Sequence, residues 1–162
     1  MKVKDIMTAN AKTCTLTDNL AEAARLMWEE DCGSVPVVAE EGKVVGLITD
    51  RDICMAALTK GRNESSIAIE DVISGKLFTC QPEDDIHSAL DTMRDNKVRR
   101  LPVVTADGKL SGMLSMNDVV LKAAEAGGKK APELSYGDVV NTYKSICQHQ
   151  LPMRQSQAAV KA

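Results

Sequence analysis

The chain has 162 residues, of which 44% are hydrophobic, enough for a folded core and too many for a disordered chain. Only 2% are aromatic and the formal net charge is -3, which argues against a base-stacking surface, a basic nucleic-acid binder and a membrane-surface binder. No apolar run approaches the roughly 20 residues that span a bilayer, none follows Met1-Lys2-Val3-Lys4 as in a signal peptide, and five cysteines without a CxxC pair suit reduced thiols in a cytoplasmic protein.

The elements follow in chain order. Asp5-Ile6-Met7-Thr8 is a short lead-in and Thr13-Cys14-Thr15 is extended. Thr17 or Asp18 suits a helix N-cap, and Leu20, Ala23, Ala24 and Met27 then give one apolar face at helical spacing. The β-branched run Val35 to Val38 predicts a buried strand. Glu40-Glu41-Gly42-Lys43 predicts a turn into a second strand, Val44 to Ile48. Thr49 caps a helix from Asp50 to about Leu58. Lys60 to Ser66 is polar and reads as a linker.

The same order then returns. Val35-Pro36-Val37-Val38 recurs as Leu101-Pro102-Val103-Val104, an offset of 66 residues. That offset also carries Asp5 to Asp71, Thr13-Cys14 to Thr79-Cys80, Met27 to Met93, Gly46 to Gly112 and Asp52 to Asp118, with no gap from Val3 to Ala124. In the second copy Asp84 is the expected cap, with Ile86, Ala89, Leu90 and Met93 facing inward. A unit of about 55 residues is too small to bury a good core alone, so the copies are expected to pack together about a pseudo-two-fold axis. Beyond Ala124, Gly127 to Pro132 reads as a break. Val139, Val140, Tyr143 and Ile146 predict a short amphipathic helix around Tyr136 to Gln148, with a loose end after Arg154. The expected domains are residues 1–60, a linker 61–68, residues 69–125, and an extension 126–162.

Asp5-Ile6-Met7-Thr8, Gly33-Ser34-Val35-Pro36-Val37-Val38 and Gly46-Leu47-Ile48-Thr49-Asp50-Arg51-Asp52-Ile53 resemble the first of two cystathionine-beta-synthase (CBS) domains. Arg100 to Val104 and Gly112 to Asp118 resemble the second. The resemblance implies an α/β (α+β) module of two pseudo-symmetric repeats, each strand-helix-strand-strand-helix. It further implies a homodimer that binds adenosine-containing ligands (AMP, ADP, ATP, NAD or S-adenosylmethionine) in clefts between the repeats. Thr49 and Ser115 are then phosphate positions, and Asp52 and Asp118 ribose positions.

Physical chemistry supports part of this. A strand entering a helix offers backbone N–H groups and the positive end of the helix dipole to a phosphate. A carboxylate one turn on can accept from ribose hydroxyls. The same pairs, Thr49 with Asp52 and Ser115 with Asp118, also form capping boxes, and the two roles can coexist. One expected cleft combines Thr49, Asp50, Arg51 and Asp52 with Arg99, Arg100 and Leu101; the other combines Ser115, Met116, Asn117 and Asp118 with Gly33, Ser34 and Val35. The family places a basic pair near the phosphates, and arginine's planar fork suits that role, so the Arg99-Arg100 cleft should favour the more phosphorylated ligand. Val35, Val37, Leu101 and Val103 are candidate walls for an adenine ring.

No nucleophile–base arrangement, GxGxxG motif or Walker loop is present, which disfavours an enzyme. His87, beside Ile86 on a helix, reads as a surface residue. Cys147-Gln148-His149 brings too few ligands for a metal site, and no metal or cofactor is expected. The rival reading is a ligand-free dimerising subunit that regulates an unknown partner protein. Nucleic acid and membrane are not expected partners.

Overall fold

The two sequence repeats exchange their lead-in segments. The Val3 N–H donates to the Asp84 carbonyl at 3.0 Å, Lys4 N–H to Pro82 at 3.0 Å, and Ile86 N–H to Met1 at 3.0 Å. Sixty-six residues away the same three bonds recur: Ile69 to Asp18 at 2.8 Å, Glu70 to Leu16 at 3.1 Å, and Leu20 to Ile67 at 3.0 Å. Each lead-in therefore completes the other half. Val3 is buried in the core of the second half, and Ile67 and Ile69 in that of the first. Burying these three side chains contributes about 1.5–3 kcal/mol each, which ties the halves into one body.

This computed structural model describes residues 1–73, 75–125 and 131–148. Its elements are β1 (Thr8–Ala9), β2 (Cys14–Thr15), α1 (Leu20–Glu29), β3 (Ser34–Val38), β4 (Val44–Thr49), α2 (Asp50–Lys60), α3 (Ile86–Asn96), β5 (Arg100–Val104), β6 (Leu110–Ser115), α4 (Met116–Lys122) and α5 (Tyr136–Cys147). The fold is mixed helix and sheet, as expected. One sheet has the order β2-β3-β4, the other β1-β6-β5. Both hairpins keep the 66-residue offset: Val35 pairs with Ile48, and Leu101 with Leu114. In the second half the counterpart of β2 shrinks to a bridge between Cys80 and Val103.

Strand β1 crosses from the first repeat to pair antiparallel with β6, Thr8 opposite Met113. Gly112 permits that crossing. A Cβ there would lie 2.6 Å from the Thr8 carbonyl oxygen, closer than atoms can approach.

Two N-caps fall one residue later than the sequence suggested. Asn19 caps α1 by accepting from Glu22 N–H at 3.0 Å, and Asp85 caps α3 by accepting from His87 N–H at 2.9 Å. Asp18 and Asp84 instead close the preceding turns, each accepting at 2.7 Å from Thr15 N–H and Gln81 N–H. Adjacent short polar residues compete for the same donors, and the turn takes the first of each pair. Ala24 is exposed, although its counterpart Leu90 is fully buried.

The expected tail helix is α5, capped by Ser135. Val139, Tyr143 and Ile146 pack on the second core, whereas Val140 is exposed. The Gly127 break, His149 and the end after Arg154 lie wholly or largely outside the described residues.

Candidate functional site

The turns from β4 into α2 and from β6 into α4 carry the predicted Thr/Ser and Asp residues, and both are closed capping boxes. Asp52 Oδ2 accepts from Thr49 N–H at 3.0 Å and from its hydroxyl at 2.6 Å. Asp118 Oδ2 accepts from Ser115 N–H at 2.7 Å and from its hydroxyl at 2.6 Å. A third box, Ser135 with Asp138, has nearly the same distances in the extension, away from both turns. The motif is thus a helix-starting device in its own right.

These contacts also occupy the N–H groups offered to a phosphate by the sequence reading. In α2, Asp50 N–H reaches the Gly33 carbonyl at 3.4 Å, Arg51 N–H the Asp50 carboxylate at 2.7 Å, and Asp52 N–H the Thr49 hydroxyl at 3.2 Å. In α4, Met116 N–H reaches the Arg99 carbonyl at 3.0 Å and Asp118 N–H the Ser115 hydroxyl at 3.4 Å.

A cleft of about 310 Å³ opens at the β6–α4 turn, between the halves. Ser115, Asn117 and Asp118 form one side and Gly33, Ser34 and Val35 the other, so six of the seven residues grouped by the sequence reading meet here. Met116 does not; it is buried in the second core. The cleft also takes Arg100, assigned to the opposite site by the sequence, and the segment Thr8 to Lys12, which sequence reasoning missed. That segment arrives with β1 through the lead-in exchange, and nothing local in Asn10-Ala11-Lys12 marks it. The Asp118 Oδ1 atom, the carboxylate oxygen not engaged in capping, accepts from the Thr8 hydroxyl at 3.4 Å. Lys12 and Arg100 supply positive charge to a cleft that also holds Glu30, Asp31 and Asp118.

The pseudo-symmetric position is much tighter. There a hollow of about 120 Å³ is lined by Leu47, Ile73, Lys76, Phe78, Val98 and Arg100 among others. Phe78 stands where the open cleft has Lys12, and the Ile73 side chain lies where a Cβ on Gly46 would be 2.8 Å from it. Of the residues expected in this cleft, only Arg100 lines it. Thr49, Asp52 and Arg51 lie at the start of α2, Arg99 is exposed, and Leu101 is wholly buried in the core. Asp50 lines a third hollow, of about 640 Å³, with Gly33 and Arg100. Val37 and Val103 are core, leaving Val35 as the one expected adenine wall that reaches a cleft.

His87 is a surface residue, as expected. Its Nδ1 lies 3.1 Å from Asp85 and its Nε2 3.7 Å from Asp138, linking α3 to α5. Among the described residues, no group of three or more His, Cys, Asp or Glu side chains could hold a metal ion. Nor is any helix long and apolar enough to cross a membrane.

A family model for the CBS domain matches residues 3–59 and again 69–125. Bacillus subtilis YlbB is 34% identical over 140 residues, which cover 85% of this chain and 93% of YlbB. Among solved structures, CBSX2 in complex with AMP superposes with a TM-score of 0.62 at 26% identity, over 74% of this chain and 93% of that one. The CBS domain pair of MJ0100 in complex with 5′-methylthioadenosine and S-adenosyl-L-methionine gives 0.67 at 25%, over 75% of this chain and 98% of that one.

Proposed function

The chain belongs to the CBS domain family, with two copies of the domain in tandem, and from that premise we propose that it is a regulatory module sensing an adenosine-containing ligand. AMP, ADP and ATP are the first candidates, with NAD and S-adenosylmethionine behind them. One observation carries the reading. The 310 Å³ cleft brings Ser115 and Asp118 of one repeat against Gly33, Ser34 and Val35 of the other, with Arg100 and Lys12 beside them. That volume lies at the lower end of the range for small-molecule sites, whereas 120 Å³ falls below it. Of the two pseudo-symmetric positions, the one at the β6–α4 turn is therefore the nucleotide site.

In this reading Asp118 Oδ1 exchanges its long bond with Thr8 for the ribose hydroxyls. Arg100 and Lys12 meet the phosphates, because two of the first N–H groups of α4 are already engaged, Met116 with the Arg99 carbonyl and Asp118 with the Ser115 hydroxyl. Val35 and Pro36 offer an apolar wall to the base. The complexes of CBSX2 with AMP and of MJ0100 with methylthioadenosine and S-adenosylmethionine support this ligand class. The module catalyses nothing itself. It works in the cytoplasm as a homodimer and passes its state to a downstream protein, with neither nucleic acid nor membrane as partner.

One observation favours the rival, a ligand-free dimerising subunit: both candidate ribose carboxylates already serve as caps. Calorimetric titration with adenosine, AMP, ADP, ATP and S-adenosylmethionine decides between them. Saturation at one ligand per chain supports the sensor. No heat and no rise in melting temperature with any of them at millimolar concentration leaves the rival.

A further inference from the structure

The 66-residue offset divides the cysteines into two kinds. Cys14 and Cys80 are equivalent, and each is buried in the core of its half. Cys32 and Cys54 have no such counterparts: the matching positions hold Val98 and Val120. Both of these thiols are exposed, and both line the open hollow of about 640 Å³ between α1 and α2. Cys147, the remaining exposed thiol, ends α5 and lines neither that hollow nor the nucleotide cleft.

Local geometry brings Cys32 and Cys54 to one place. Asp50 N–H reaches the Gly33 carbonyl at 3.4 Å, and a Cβ on Gly33 would lie 2.9 Å from the Asp50 carboxylate, so the chain beside Cys32 abuts the start of α2. Cys54 is one helical turn on from Asp50, on the same face of α2. Cys32 also lines the 310 Å³ cleft, together with Gly33 and Ser34, and among the described residues it is the one thiol common to the hollow and the cleft. Its Sγ donates to the Ser34 carbonyl at 3.3 Å. That bond ties down the wall that faces Ser115 and Asp118.

We propose that Cys32 and Cys54 form a reversible disulfide within the chain and that this bond controls the nucleotide cleft. One thiolate attacks a low-molecular-weight disulfide, RSSR, and expels one RS⁻; the second attacks the protein sulfur of the mixed disulfide and expels the other. Two S–H bonds break and one S–S bond forms in the protein. The two protons pass through solvent to the leaving thiolates, and the two electrons reduce RSSR to two RSH. A disulfide has no S–H, so the Ser34 carbonyl loses its donor. The bond also holds the two Cα atoms within roughly 7 Å, which keeps the loop bearing Cys32 against α2. Gly33 and Ser34 then retreat from Ser115 and Asp118, and nucleotide affinity falls. This consequence rests on the nucleotide site of the preceding reading; the disulfide itself does not.

The full chain is equilibrated with mixtures of oxidised and reduced glutathione, and its thiols are mapped by alkylation, digestion and mass spectrometry. Affinity for AMP is measured by calorimetry on the reduced chain, on the oxidised chain freed of glutathione, and again after dithiothreitol. The expected map shows Cys32 joined to Cys54 within one chain, while Cys147 carries at most a glutathione adduct. Oxidation should weaken AMP binding about fivefold or more, the scale of one lost hydrogen bond, and dithiothreitol should restore it. Cys54→Ser, reduced, should bind AMP as the parent chain does, and under oxidation should carry glutathione on Cys32 in place of the bond. Separate adducts on Cys32 and Cys54 of the parent chain, or a bond between chains, overturn the pair. An intrachain bond that leaves AMP affinity unchanged overturns the control of the cleft. An intrachain bond in a chain whose reduced form binds none of adenosine, AMP, ADP, ATP and S-adenosylmethionine overturns the nucleotide reading and its control, and supports the disulfide alone.

Discussion

Asp118 faces two ways: one carboxylate oxygen closes the capping box with Ser115, and the other meets the Thr8 hydroxyl across 3.4 Å. Asp52 makes the same cap, but among the described residues the matching hollow is only about 120 Å³ and Asp52 does not line it. Asp118→Ala should therefore lower both stability and nucleotide affinity, whereas Asp52→Ala should lower stability alone. The cap loss is worth about 1 kcal/mol. A lost charge-assisted hydrogen bond, about 1.5–3 kcal/mol, weakens binding tenfold or more. Urea denaturation and calorimetry on both variants measure the two effects separately.

Arg100 lines all three hollows, and among the described residues it forms no ion pair. Arg100→Ala should cost ATP at least tenfold in affinity and adenosine less than twofold; Arg100→Lys should restore only part, lacking the planar fork. Gly33→Ala should give a milder form of the same defect. A Cβ there would lie 2.8 Å from the Arg100 guanidinium and 2.9 Å from the Asp50 carboxylate, both flexible side-chain ends that can swing aside without unfolding. Titrations with adenosine, AMP and ATP check the order.

The extension should be integral to stability. Leu134 is 1% exposed, and Leu134→Ala should cost about 2–5 kcal/mol by opening a cavity. Thr142 is fully buried, and its hydroxyl has no hydrogen-bond partner among the described residues. Thr142→Val should stabilise by about 1 kcal/mol, because it removes a desolvated, unpaired group. Chemical denaturation of each variant provides the measurement.

Thiol reactivity should divide cleanly. Burial pushes the Cys14 thiol up to about 11 and Cys80 up to about 12, with Asp18 and Asp84 adding to the effect. Cys32, Cys54 and Cys147 are exposed. A thiol reagent at pH 8 should modify three cysteines quickly, and Cys14 and Cys80 only as fast as the protein opens. Mass spectrometry of the time course identifies them.

Acid should loosen α5. Hydrogen bonds from the Ser135 hydroxyl and backbone hold the Asp138 carboxyl below its ordinary 3.8, and His87 adds to the effect. A carboxyl whose value is lowered by folding contributes stability above its unfolded value, and that contribution fades as pH falls through the folded one. Melting temperature should therefore drop below about pH 4, and Asp138→Asn should flatten that part of the profile.

Local chemistry made much of this protein legible from sequence. Helical and alternating periodicities act over a few residues, so the strands, the helices and α5 could be placed, and the 66-residue offset showed that they occur twice. The capping boxes were visible for the same reason: Thr49 with Asp52 and Ser115 with Asp118 are three residues apart. Only tertiary structure decided what those residues face. Asp118 meets Thr8 across 110 residues of chain because the lead-ins exchange, and that exchange brings Thr8 to Lys12 into one cleft. In the other, Phe78 and Ile73 fill the space. Whether Leu101 and Met116 faced a ligand or the core was equally invisible, since each strand and helix presents apolar residues to both and only the packing of the two halves distinguishes them.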